Sequence, residues 1–200
     1  MSMYKIISVT NRGICDDFFA QLKKISDEGI PVILREKDLP EDEYEAMAKK
    51  VMEFCPDVIL HTYISSAKKM GCKRIHLPMH ILKTADLSDF KTVGVSVHSI
   101  EEAVEAQKLG ATYITAGHIF KTDCKKGVAP RGLSFLKAVC GCVDIPVMAI
   151  GGISPENAAE TINMGAAGVC VMSGLMRCDD IKKYLDSFKA GYINDKEKKS

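Results

Sequence analysis

Eight short, mostly apolar runs recur along this chain, each followed by a stretch of helical character, and that alternation constrains the fold more than any other feature. The runs cover 4–9, 31–35, 58–61, 74–77, 92–97, 112–116, 146–150 and 168–172. They lack the strict apolar–polar alternation of a half-solvated strand. Continuous runs of this kind suit parallel strands with both faces buried. Helical patterns lie near 15–27, 41–54, 64–70, 86–90, 99–109, 132–141, 155–164 and 179–189, the third and fourth being short.

Local signals support these boundaries. Ser99 followed by Glu102 fits a capping box, and Ser154-Pro155 puts a capping residue before a proline at a first helical position. Gly110 and Gly165 suit left-handed helix ends. Eight strand–helix units without a Pro/Gly/Ser-rich divider predict one α/β domain, a (β/α)8 TIM barrel over residues 1–193, followed by a polar tail at 194–200. A doubly wound open sheet is the alternative. The absence of GxGxxG after the first run weakens its dinucleotide-binding form.

Composition removes several function classes. A net charge of +1, with Lys and Arg interspersed among Asp and Glu, does not make the concentrated basic face that nucleic acid requires. No signal peptide or membrane-length apolar stretch is present, and the eight cysteines show no CxxC pair. The expectation is a cytoplasmic protein with free thiols, Cys140 and Cys142 included, that binds neither nucleic acid nor membrane. A homo-oligomer is compatible with the sequence.

In a barrel of this kind the site residues fall just after the strands, at one mouth. Arg35-Glu36-Lys37 follows the second run, His61-Thr62-Tyr63 the third, and Ser96 to Ser99 closes the fifth. Gly151-Gly152 and Ser173-Gly174 follow the seventh and eighth. Loops at those last two places bind phosphate through backbone N–H groups that glycine lets approach closely, so Gly151, Gly152, Ser173 and Gly174 are the expected phosphate site. After the sixth run, the loop from Gly117 to Gly127 carries His118, Thr122, Cys124 and Lys125. Such a loop can move protons and hold anions. His76 is expected to pack within its strand, His98 to cap a helix and His80 to be a loop residue; His61, His80 and Cys124 lack the regular spacing of a metal site.

Taken together, Arg35-Glu36-Lys37, the Gly94-Val-Ser96-Val-His98-Ser99 segment, the Gly117 to Gly127 loop, Ile145 to Gly152 and Val171-Met-Ser-Gly174 resemble the thiamine-phosphate synthase/TenI superfamily. The resemblance spans nearly the whole chain and is weakest between about 38 and 90. It implies a (β/α)8 barrel that binds phosphorylated thiazole or pyrimidine intermediates of thiamin biosynthesis. Its two branches differ in chemistry. A synthase joins hydroxymethylpyrimidine diphosphate to thiazole phosphate, and the departing pyrophosphate is normally met by magnesium on oxygen ligands. Synthases have an Asn-Asp-Arg pattern after the third strand and an aspartate after the fourth. This chain has His61-Thr62-Tyr63 and Pro78-Met79-His80-Ile81 there, and recruiting Asp86 would need a shift of several residues.

The sixth-strand loop also departs from the synthase wording and resembles TenI. That resemblance implies a thiazole tautomerase, an isomerase without a metal cofactor, in which His118 is the acid/base that converts a thiazole carboxylate phosphate tautomer to its aromatic form. Arg35, Lys37, His61, Ser96, Thr122, Cys124 and Lys125 are the expected substrate-binding residues. The alternatives are the magnesium-dependent synthase and a non-catalytic regulatory protein that binds thiamin phosphate.

Overall fold

The computed structural model describes residues 5–122 and 127–198, with side-chain surroundings through residue 191. Eight parallel strands close into a barrel in sequence order: β1 (Lys5–Val9), β2 (Val32–Leu34), β3 (Val58–His61), β4 (Arg74–Pro78), β5 (Thr92–Val97), β6 (Tyr113–Gly117), β7 (Val147–Ile150) and β8 (Gly168–Val171). The seam is the β1–β8 pair, with Lys5 opposite Gly168 and Ser8 opposite Val171. The helices are α1 (Phe18–Asp27), α2 (Glu41–Met52), α3 (Ile64–Lys69), α4 (Met79–Leu82), α5 (Ile100–Lys108), α6 (Gly132–Cys142), α7 (Ala158–Asn163), α8 (Ser173–Arg177) and α9 (Ile181–Lys198), and a 3-10 turn covers Arg12–Ile14. The expected (β/α)8 barrel is therefore the observed fold.

Because successive strand side chains alternate sides, each strand feeds two packing layers. One set, including Val32, Leu34, Leu60, Ile75, Leu77, Val95, Ile114 and Val169, packs outward against the helices. The other fills the barrel, where Ile7, Val9, Ile33, Ile59, Tyr113, Met148 and Cys170 form a separate cluster. Helix α1 shows how the outer layer is held. Asp17 accepts from the Ala20 N–H at its start, and Leu22 and Ile25 are fully buried, each contributing about 1.5–3 kcal/mol of transfer free energy. The Gln21 amide donates to the Leu175 and Cys178 carbonyls at 2.6 and 2.9 Å, tying α1 to α8.

Ser99 caps α5 as expected, its hydroxyl accepting from Glu102 N. Elsewhere the structure differs from expectation. The fourth helix lies at Met79–Leu82, directly after β4, and not at 86–90. That later segment bends: the Asp86 carboxylate accepts from Ser88 N, Phe90 N donates to Leu87 O, and Lys68 pairs with Asp86 and Asp89. Local side-chain bonds of this type compete with helix. Ser173 and Gly174, read as a loop, open the short helix α8. Helix α7 begins at Ala158, after a turn in which Asn157 Oδ1 accepts from Ser154 N. The last helix runs to Lys198 and takes in most of the polar 194–200 stretch.

Candidate active site at the barrel mouth

A closed parallel barrel brings the C-terminal ends of all its strands to one rim. Arg35 and Lys37 follow β2, His61 ends β3, Ser96 lies near the end of β5, and His118 and Thr122 follow β6. Gly151 and Gly152 follow β7, and Ser173 and Gly174 follow β8. The expected residues at Cys124 and Lys125 lie outside the described residues.

On the β1–β2 side, the carboxylate of Glu36 is 3% exposed and organises the rim. It accepts from Thr10 Oγ1 at 2.6 Å, from Arg12 N at 3.1 and 3.2 Å, and from Arg12 Nη1 at 3.2 Å. Arg12 also pairs with Asp38 at 2.5 Å, and these carboxylates raise its pKa. The Glu36 carboxylate is thus neutralised by Arg12, a residue the sequence reading did not single out. Its signal was available: an arginine just after the first strand, at the same rim. Arg35 is held from its backbone, N donating to Thr10 Oγ1 at 2.8 Å.

Between β2, β3 and β4 a cleft of about 190 Å³ opens onto the rim, lined by Lys37, His61, Thr62, Tyr63 and His80 among others. His80, read as an ordinary loop residue, therefore borders the mouth. Thr62 has φ of +69°, a region that costs a β-branched residue energy, and its Oγ1 lies 2.5 Å from His61 Nδ1. Below the rim His61 stacks on His76, ring centroids 5.7 Å apart. Burial drives both imidazoles toward neutrality, His61 down to about 2 and His76 to about 3. The neighbouring His76 and the cations Lys37 and Arg35 push His61 the same way.

On the opposite side the loops after β6 and β7 are pressed together. Ile119 N donates to Ile150 O and Phe120 N to Gly151 O, both at 2.9 Å. Gly151 and Gly152 have φ of +97° and +68°, and a Cβ on them would fall 2.3 Å from His118 Cβ and 2.4 Å from Lys121 O. Only glycine meets both demands. Gly174 has a comparable constraint, since a Cβ there would lie 1.9 Å from Tyr184 Oη. His118 is 5% exposed, packed under Gly151 and not displayed on an open loop. Its Nε2–H donates to Val128 O at 3.3 Å, while Nδ1 is buried and has no partner among the described residues. His98 also departs from its expected helix-capping role: its ring Nδ1–H donates to Gly117 O at 3.1 Å, fixing the end of β6.

Among the described residues, the carboxylates near the β2, β3 and β4 ends are already engaged. The ends of β3 and β4 present His61, Thr62, Pro78 and His80, while Asp86 and Asp89 are taken up by Lys68 and Glu36 by Thr10 and Arg12. Among the described residues no group of three or more His, Cys, Asp or Glu side chains could hold a metal ion.

The fold and rim define a single-domain (β/α)8 barrel with cations after β2 and close-packed glycine loops after β7 and β8. Comparison with known proteins makes the class specific. The family model for thiamine monophosphate synthase matches residues 6–175, and the chain belongs to the thiamine-phosphate synthase/TenI family. The chain is 35% identical over 190 residues to a thiamine-phosphate synthase of Clostridium acetobutylicum, covering 90% of each chain. It is 31% identical over 196 residues to thiamine-phosphate synthase 2 of Streptococcus pneumoniae, covering 92% of this chain and 93% of that one. Among solved structures, a thiamine phosphate pyrophosphorylase from Pyrococcus furiosus superposes with a TM-score of 0.81 at 26% identity over 96% of both chains.

These relatives overturn the expected branch. Full-length similarity is to proteins named as synthases, so the expectation of a thiazole tautomerase, and of an isomerase, is corrected to the transferase alternative. That expectation rests on the sixth-strand loop with His118 and on the lack of carboxylates directly after the third and fourth strands, against agreement that extends over nine-tenths of the chain. No helix among the described residues is long and apolar enough to cross a membrane.

Proposed function

We propose that this chain is a cytoplasmic transferase of the thiamine-phosphate synthase type, which joins a thiazole phosphate to hydroxymethylpyrimidine diphosphate and releases pyrophosphate. The observation that carries this reading is the 31–35% identity to proteins named thiamine-phosphate synthase over some nine-tenths of both chains. In the reaction the thiazole nitrogen forms a bond to the pyrimidine's methylene carbon as that carbon's bond to the diphosphate oxygen breaks, and the bonding electrons leave with pyrophosphate. No proton transfer is required.

On this reading Gly151, Gly152, Ser173 and Gly174 hold the thiazole phosphate through backbone N–H groups. Arg35 and Lys37, at the rim of β2, meet the charge that develops on the diphosphate, arginine through its fork of donors. Ser96, His61 and Thr122 orient the two rings by hydrogen bonds, while His118, packed under Gly151, braces the glycine loop. Magnesium, which such sites hold together with the substrate's own phosphates, would share that charge with the rim cations.

The test is pyrophosphate release from purified protein given both precursors, with magnesium and with a chelator. Release that needs both precursors is the expected result, the chelator arm reads its dependence on magnesium, and Arg35→Ala should slow it by about 100-fold. A second reading, a protein that binds thiamin phosphate without forming it, is favoured by His61, Thr62 and His80 standing at the β3 and β4 ends. Ligand binding without any pyrophosphate release would select it.

A further inference from the structure

Beneath the rim, His76, Gly94 and Tyr113 lie in one row across β4, β5 and β6, each opposite the next in register. Gly94 is the gap that lets the two flanking rings meet: a Cβ there would fall 2.2 Å from Tyr113 Cζ and 2.4 Å from His76 Nδ1. Tyr113 Oη lies 3.0 Å from His76 Nδ1, His76 Nε2 lies 2.8 Å from Ser96 Oγ, and Thr115 Oγ1 donates to the same Ser96 oxygen at 3.3 Å. His76, Tyr113 and Thr115 are 3%, 7% and 2% exposed, whereas Ser96 is half-buried, one row closer to the mouth and level with Pro78 at the end of β4.

From this chain of contacts we infer that Tyr113 and His76 are positioning residues that hold the Ser96 hydroxyl as a one-way hydrogen-bond donor toward an acceptor atom of the ligand. The proposal rests on the reading of the mouth as a site for phosphorylated ligands, and it adds how one of its groups is aimed.

The direction of each bond follows from what each group can spare. A buried phenol that gives its proton to nothing forfeits a hydrogen bond it had in water. The contact to His76 is the Tyr113 hydroxyl's side-chain bond, and burial drives its ionisation well above the ordinary value, so it keeps its proton and donates it to Nδ1. Burial also holds His76 neutral, with one N–H and not two. With Nδ1 accepting, that proton sits on Nε2 and is donated to Ser96 Oγ. Ser96 then accepts from both His76 and Thr115, which uses its two lone pairs. Its own proton remains, directed away from both donors and toward the open side. The ligand atom recognised there is an acceptor, a phosphate oxygen or an unprotonated ring nitrogen.

Two measurements test this. Imidazole 15N NMR of the ligand-free protein should show His76 as the Nε2–H tautomer; the Nδ1–H form overturns the proposal. Calorimetry with thiamine phosphate and with pyrophosphate then reads the consequence, with melting curves confirming that every variant is folded. Ser96→Ala should weaken binding about tenfold, and His76→Asn about as much. His76→Gln, whose amide N–H₂ reaches the place of Nε2, should stay within about threefold of the wild type. Tyr113→Phe should weaken binding only when Ser96 is present, as a double-mutant cycle detects. Equal losses with and without Ser96, or Gln no better than Asn, overturn the proposal and leave these residues a packing role. If the wild type binds neither probe, the reading of the mouth fails instead, and the tautomer, measured without ligand, still decides the relay.

Discussion

The two halves of the barrel interior are built from different materials. From β7 through β8 and β1 to β2 the inward side chains include Met148, Ile150, Cys170, Ile7, Val9 and Ile33, an apolar wall. From β3 to β6 they include His61, His76, Ser96, Tyr113 and Thr115, joined ring to ring and hydroxyl to imidazole. The apolar wall stands under the glycine loops, where backbone is the proposed ligand-binding element and side chains need only fill space. The polar wall stands under the cleft of His61, Thr62 and His80, where side chains must do the recognising. A polar interior is costly unless its groups are satisfied, so that half has the more sensitive chemistry.

The largest difference between the halves should appear in acid. In the unfolded chain each histidine titrates near 6.5, while in the fold His76 is held down to about 3 and His61 to about 2. Between those values and 6.5 the unfolded chain binds more protons, so the stability they contribute is complete above about 6.5 and lost as pH falls. The slope is roughly 1.4 kcal/mol per pH unit for each histidine. Urea denaturation at steps between pH 7 and 4.5 should show this decline, and His76→Gln should remove about half of it. A profile that stays flat over that range would mean that the polar wall is open to water.

Next in size is Gly94→Ala. The added methyl meets Tyr113 and His76 at sub-contact distances, and neither ring has room to retreat inside a closed barrel. Overpacking of this kind costs about 3 kcal/mol, measured as a shift in the denaturation midpoint. A Gly94→Ala variant as stable as the wild type would show that the Tyr113–His76 contact is adjustable.

The contrast between the halves also explains what the sequence could reveal. All eight strands were legible, because a strand buried on both faces must be apolar along its length, and so were seven of the nine described helices, α8 reading as a loop. The fourth was not: four residues after Pro78 are too few to display a helical period, while 86–90 mimicked one until Asp86 and Asp89 turned to Lys68. Rim residues such as Arg35, His61 and His118 were legible because topology alone puts strand ends at the mouth. The His76–Tyr113–Ser96 array was not, since it depends on register across three strands; the parity of His76, Gly94 and Ser96 within their runs was the available clue. The branch of the family is not legible from the strand-end residues alone, because a few loop positions vary while the similarity that marks the synthases is spread along the whole barrel.

In the apolar half, Cys170 gives the third comparison. It is 1% exposed, and burial pushes its thiol up to about 12, so it should not react with thiol reagents in the native state. Cys170→Ser puts a hydroxyl where the neighbours are Ile7, Met148 and other apolar groups, at a cost of about 2 kcal/mol in the same denaturation assay. Rapid labelling of native Cys170, or no loss on substitution, would contradict a dry wall on this side.

The smallest expected effect is the sharpest check on the division of labour. Ile33 is 2% exposed on β2, opposite Val9 and Ile59, and two residues before Arg35 at the rim. Ile33→Val removes one methylene and should lower stability by about 1 kcal/mol. Binding of thiamine phosphate or pyrophosphate should nevertheless stay within about twofold of the wild type, because Arg35 is set by backbone bonds. Thr10 N donates to Ile33 O at 3.0 Å, and Arg35 N donates to Thr10 Oγ1 at 2.8 Å; both are independent of the Ile33 side chain. A loss of affinity larger than that, in a variant still fully folded at the assay temperature, would show that packing inside the apolar half steers the rim cations, and the two walls would have to be treated as one site.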